Sequence, residues 1–209
     1  MNKRLLSFFV LAALSVGGAY AQTLNVQIPA DLRSSQPGVN RDSTADMIVA
    51  HLVEGLVAID DVGTVKPLLA ESVEESGDGR TYTFALRKGV TFHNGEPLTA
   101  EDVVWTWQHY MKPDGGWRCR AEFNGRNGVQ VTDVTAVDTH TVKMVLDKPD
   151  PMFLSTLARP DCGMTGILNK ASVNADGSWN KPVGTGPFEL GTWSKGSYVE
   201  LVKFKDYAS

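Results

Sequence analysis

The chain has 209 residues, of which 42% are hydrophobic, 9% aromatic and 21% charged. That is enough apolar matter for a core, and it excludes a disordered tail or a fibrous repeat; the length suits one large domain or two small ones. Twenty basic residues against twenty-four acidic ones give a formal net charge of −4, so no cationic surplus exists to neutralise phosphates and nucleic acid is not an expected partner.

The first residues read as an address rather than as structure. Met1-Asn2-Lys3-Arg4 is a short basic head, Leu5 to Val16 an uncharged apolar run, and Ala19-Tyr20-Ala21 places small residues at −3 and −1 ahead of Gln22. This is the three-part layout of a secretory signal, expected to be cleaved after residue 21. The apolar run is shorter than the roughly twenty residues a membrane span needs, and no Cys follows it to carry a lipid. Export makes the two cysteines informative, because an oxidising compartment permits disulfides. Cys119 and Cys162 are the only available pair, and a bridge between them is expected to contribute about 4 kcal/mol by constraining the unfolded chain.

Leu24-Asn25-Val26-Gln27-Ile28 alternates and stops at Pro29, as a short strand does. Asp31 to Ser43 is polar and turn-rich, and a helix is expected after Ser43, with Asp46 completing an acidic capping box and Met47, Ile48, Leu52 and Val53 on one face. From Leu56 to His93 the text is β-rich: Leu56 to Ile59, Val73 to Glu75 and Tyr82 to Leu86 are separated by turns at Asp60–Gly63 and Ser76–Gly79. Asn94-Gly95 is a tight-turn signal, and Thr99 with Asp102 caps a helix carrying Val103, Val104, Trp107 and Tyr110, which Pro113–Gly116 ends. A second β patch follows at Val129–Val131, Val134–Val137 and Thr141–Leu146. Phe153 to Ala158 reads as a short helix, Val183 to Pro187 as a Gly-rich corner, and Phe188–Trp193 with Tyr198–Phe204 as a hairpin. The whole is α+β with strands dominating.

Catalytic chemistry is not legible. His51, His93, His109 and His140 are scattered, with no metal-ligand spacing. No nucleophile elbow or Ser–Lys pair occurs. Gly184-Thr185-Gly186 begins like a dinucleotide loop, but Glu189 stands where a third glycine would be and no helix signal follows. Asp60-Asp61 and Glu74-Glu75 are neighbouring acids in predicted turns, the pattern of a solvated edge. No enzyme activity, metal or cofactor is expected.

Motifs carry a resemblance that composition does not. Val53-Glu54-Gly55-Leu56-Val57 is followed by Pro67-Leu68-Leu69-Ala70-Glu71-Ser72, Asp78-Gly79-Arg80-Thr81-Tyr82-Thr83-Phe84 and Leu86-Arg87-Lys88-Gly89-Val90. Then come Phe92-His93-Asn94-Gly95-Glu96-Pro97-Leu98-Thr99-Ala100-Glu101-Asp102-Val103 and Pro182-Val183-Gly184-Thr185-Gly186-Pro187-Phe188. Together they resemble the dipeptide/oligopeptide/nickel class (family 5) of solute-binding proteins that serve ABC importers. The resemblance implies an α/β, strand-rich chain forming the first lobe of a type II periplasmic-binding-protein fold, with the second lobe absent from this chain. Residues 22–45 and 183–209 would then belong to the main first lobe, with 46–182 an inserted β-rich subdomain. It also implies a periplasmic monomer that captures a peptide or similar small solute and hands it to permease subunits in the inner membrane.

In this class the loop before the first helix contributes to the ligand cleft. Here that loop supplies Asn40, Arg41, Asp42 and Ser43: Arg41 can grip a carboxylate or phosphate bidentately, and its neighbours offer hydrogen bonds. Trp117 and Arg118, beside the expected bridge, are a second ligand-binding candidate, with Gly163-Met164-Thr165 held near them. Such residues also suit an anionic ligand, an opine or sugar phosphate, while a nickel chelate would need few protein ligands. Proteins of this class are usually much longer, so a truncated, non-transporting derivative with a sensory or chaperone-like role is the alternative to an importer component.

Overall fold

The computed structural model describes residues 23–39 and 43–208. The expected signal peptide and Asn40, Arg41 and Asp42 of the expected ligand loop lie outside these residues. Among them the chain forms three antiparallel sheets and four α-helices: α1 (Ser43–Val49), β1 (Val57–Ile59), β2 (Val65–Pro67), β3 (Ala70–Glu75), β4 (Thr81–Leu86), α2 (Ala100–Tyr110), α3 (Arg120–Phe123), β5 (Val131–Asp138), β6 (Thr141–Leu146), α4 (Phe153–Leu157), β7 (Phe188–Ser194) and β8 (Tyr198–Lys203). Two 3-10 turns, Pro160–Thr165 and Lys170–Ser172, lie between α4 and β7. No helix among the described residues is long and apolar enough to cross a membrane.

The core rests on the central sheet, whose strand order is β3-β4-β6-β5. Strict alternation in β4 and β6 sends Tyr82, Phe84 and Leu86, and Val142, Met144 and Leu146, to the same buried face. The register sets Tyr82 opposite Met144 and Phe84 opposite Val142, so large apolar pairs face one another across the ladder. Helix α2 lies against β5 and β6 and buries Val103, Trp107 and Tyr110. Its start is the expected one: the Asp102 carboxylate accepts from the Thr99 N–H at 2.9 Å and from the Thr99 hydroxyl at 2.7 Å.

The structure departs from the sequence pattern in several places. Leu24–Ile28 forms no strand, and Leu24 and Val26 are 86% and 64% exposed. Alternation describes a surface that could join a sheet, but a strand also needs a neighbour for its backbone groups, and none among the described residues pairs with this segment. Helix α1 starts at Ser43 itself and stops at Val49, so Leu52 and Val53 are buried in the turn after it rather than on its face, and Met47 is exposed. The Val134–Val137 run belongs to one strand, β5, which Val131 opens with a register shift before Asp133. Helix α3 and both 3-10 turns carried no periodic signal.

The Gly184–Gly186 corner sits against the turn after α1. A Cβ on Gly184 would stand 2.2 Å from the Leu52 carbonyl oxygen, so only glycine allows the backbones to approach. Gly186 N–H and Phe188 N–H donate to the carbonyls of Leu52 and His51. The hairpin β7–β8 is thereby launched from the edge of the core.

Candidate functional site

Three stretches far apart in sequence meet around one bridge: the loop before α1, residues 117–119, and the turn at Pro160–Thr165. Cys119 and Cys162 form a disulfide with a Cα–Cα distance of 5.5 Å across 43 residues. Gly38, at φ +66°, lies against both halves; a Cβ there would be 2.7 Å from the Cys162 carbonyl oxygen and from the Trp117 ring. Its own carbonyl accepts from Arg118 N–H at 3.0 Å. The loop before α1 is therefore pressed onto the bridge by a glycine with the left-handed conformation that residue tolerates.

Trp117 lies inside this junction. It is buried, its ring stacks with Tyr110 at 4.8 Å and Phe123 at 5.6 Å, and its Nε1–H donates to the Cys162 carbonyl at 3.0 Å. Tyr110 donates its hydroxyl to the Gly166 carbonyl at 2.7 Å, and complete burial pushes its phenol far above the ordinary value. These aromatic and hydrogen-bonding contacts make a stiff floor.

Arg118 lies next to that floor in sequence. Its guanidinium pairs with Asp46 Oδ1 of α1 at 3.2 Å and donates to the Asp161 carbonyl oxygen, so it ties α1 to the 3-10 turn. Beside it Arg159 forks onto Asp161 with bonds of 3.0 and 2.7 Å. The hydrogen bond from Arg159 holds the Asp161 carboxyl below its usual range, and the reciprocal bond raises Arg159. Ser43 is exposed at the start of α1.

Gly163, Met164 and Thr165 take φ values of 65°, 55° and 48°. A β-branched residue at positive φ is a strained arrangement that its surroundings must enforce. The Thr165 hydroxyl donates to the Leu157 carbonyl at 2.9 Å, and the adjacent disulfide fixes the other end. The Sγ atoms and an Asp161 oxygen lie within 4.8 Å of one another, but both sulfurs are spent in the bridge and cannot bind a metal as thiolates.

The structure thus brings Trp117, Arg118 and both cysteines together, with Ser43 on the helix to which Arg118 is tied. Reasoning from the sequence missed Asp46, Arg159 and Asp161 as the charged partners here. It also missed Glu54, which is 8% exposed and accepts from the Thr185 hydroxyl at 2.9 Å and the Tyr207 hydroxyl at 2.8 Å. Burial is the largest influence on Glu54 and raises its carboxyl, against the lowering effect of those two bonds and of the Arg87 charge. An acid between apolar residues, as in Val53-Glu54-Gly55-Leu56, was the available signal.

The comparisons with known proteins agree with this architecture. Residues 64–209 match the family of bacterial extracellular solute-binding proteins, family 5 (middle). The oligopeptide-binding protein OppA of Bacillus subtilis is 28% identical over 204 residues, covering 88% of this chain and 36% of that protein. Among solved structures, NikA from Brucella suis in complex with Fe(III)-EDTA superposes with a TM-score of 0.78 at 27% identity, over 89% of this chain and 36% of that one. The binding protein AgaA from A. tumefaciens R10, in complex with agropinic acid, gives 0.70 at 31% identity over 79% and 32%. The chain spans about a third of the length of these proteins, and its mixed α/β, strand-rich fold is that of a portion of a periplasmic binding protein. The chain belongs to the family 5 bacterial extracellular solute-binding proteins.

Proposed function

We propose that the chain is the first-lobe portion of the extracytoplasmic solute-binding component of an ABC importer, and that the disulfide junction forms one wall of its ligand site. Residues 22–45 and 183–209 act as the main lobe and 46–182 as the inserted subdomain. The segment 1–21 directs export to the periplasm and is cleaved, and the loaded protein docks, as a monomer, on permease subunits of the inner membrane.

The observation that carries the reading is a guanidinium fixed at the meeting point of three segments. Arg118 is held through Nη2 by Asp46 and the Asp161 carbonyl beside the Trp117 floor, so its positive group is fixed in place before a solute arrives. With Asn40, Arg41, Asp42 and Ser43 on the adjoining loop, the wall suits a solute that bears a carboxylate. A short peptide is the leading case, as the likeness to an oligopeptide-binding protein supports; an opine-like acid is the second, supported by the likeness to a protein bound to agropinic acid. Trp117, with its N–H spent on Cys162, acts in this reading as the support beneath Arg118. No covalent chemistry is involved: capture and closure are the whole function.

Isothermal titration of the natural protein that carries this chain, with di- to tetrapeptides and with small dicarboxylates, tests the proposal. Saturable binding of one class that Arg41→Ala weakens at least tenfold supports it. Affinity unchanged by Arg41→Ala removes the loop before α1 from the site.

A further inference from the structure

The Gly184–Gly186 corner is gripped by one imidazole. Gly184 N–H donates to His93 Nδ1 at 3.3 Å, and the Gly186 carbonyl lies 3.0 Å from His93 Nε2. The backbone adds a third link, His93 N–H to the Gly184 carbonyl at 2.9 Å. Phe204, at the far end of the hairpin, sets its ring edge-on to the imidazole with centroids 5.0 Å apart, and its N–H donates to the Pro187 carbonyl. One side chain therefore contacts both ends of the segment from 184 to 204.

The two ring bonds have opposite polarity. A neutral imidazole makes both only as the tautomer with its proton on Nε2, which leaves Nδ1 as the acceptor for Gly184. Protonation converts Nδ1 into a donor facing another donor, and the Gly184 N–H loses its partner in a half-buried setting where an unpaired group is costly. The charges that face His93 are Glu189, which favours the imidazolium, and Lys181, which opposes it; burial outweighs both and holds the ring below its ordinary 6.5.

We propose that His93 is an acid-released latch: as the neutral Nε2–H tautomer it closes the Gly184–Gly186 corner, and its protonation opens the corner and loosens the β7–β8 hairpin that begins there. Glu54 keeps the loosened segment tethered, because it holds Thr185 and Tyr207 at the two ends of the same stretch. Protonation of Glu54 runs the other way: its raised carboxyl is more comfortable neutral in the folded chain, so acid relieves a penalty there while it breaks the grip of His93.

Nitrogen-15 spectroscopy of the His93 ring, with amide exchange followed residue by residue from pH 7.5 to 4.5, tests the latch. At pH 7.5 the ring should carry its proton on Nε2. On acidification, protection at Gly184 and in β7–β8 should fall about tenfold, the loss of one hydrogen bond, with the midpoint of the His93 titration, while β4 and β6 stay protected. Glu54→Gln should retain that step. His93→Phe, which keeps a ring beside Phe204 without either bond, should leave the corner weakly protected at every pH; should this variant not fold, the wild-type titration decides the question alone. A proton on Nδ1 at pH 7.5, or hairpin protection that does not follow the His93 midpoint, overturns the proposal.

Discussion

Replacing both cysteines by alanine removes the one covalent tie between residues 117–119 and the turn at Pro160–Thr165. The bridge closes a loop of 43 residues, for which the chain-entropy relation gives about 4 kcal/mol at 25 °C. Both sulfurs are buried, so their loss adds a smaller packing penalty of the same sign. With a denaturant slope of about 2 kcal/mol/M in urea, the midpoint of unfolding should fall by roughly 2 M. Tryptophan fluorescence follows the transition, because Trp117 sits on Cys162. Wild type in excess dithiol reductant should unfold close to the double variant. A midpoint shift below roughly 0.3 M would refute the claim that this bridge constrains the unfolded chain; thiols that react in denatured, unreduced wild type would refute the bridge itself.

Other perturbations follow from single contacts. Asp102→Ala leaves the Thr99 N–H without its acceptor and should cost about 1 kcal/mol in equilibrium unfolding; an unchanged midpoint would mean that α2 does not depend on its capping box. Gly184→Ala places a methyl 2.2 Å from the Leu52 carbonyl oxygen and should destabilise by more than about 2 kcal/mol or prevent folding, read by circular dichroism; a near-neutral result would show that the corner can move. Glu54 is raised above its ordinary 4.5 chiefly by burial, so the folded chain carries a penalty for its charge that is full above the folded value and gone below 4.5. Urea midpoints of wild type and Glu54→Gln at pH 7.5 and 5 should therefore diverge in favour of wild type as pH falls, and a pH-independent difference would contradict the burial argument.

Much of the fold was legible because its signals are local. Thr99 and Asp102 lie three residues apart, the β4 alternation sits inside six residues, and the β7–β8 hairpin is marked by its own turn. Leu24–Ile28 carried the same alternation as β4 and forms no strand, because pairing depends on a partner that alternation does not name. The candidate site was legible only in part. The cysteine pair could be counted and Arg118 noticed beside it, but Asp46 reaches Arg118 across 72 residues and the Asp161 carbonyl across 43. The left-handed run through Met164 and Thr165 is imposed by packing and the bridge, and of its three residues only Gly163 advertises such a backbone. In the sequence His93 is one of four scattered histidines, because its partners, Gly184 and Gly186, are backbone groups some ninety residues away.

Whether the disulfide junction lines the ligand site is read from the affinity of the natural protein for carboxylate-bearing solutes, compared between wild type, Arg118→Lys and Arg118→Ala. Saturable binding to one solute class should weaken at least tenfold in Arg118→Ala and be only partly recovered by Arg118→Lys, which keeps the charge without the planar guanidinium, as expected for a charge-assisted contact. Both variants must unfold at a urea midpoint that leaves the fold intact at the assay temperature. Saturable binding indifferent to both substitutions would contradict the assignment of the disulfide junction as a wall of the ligand site.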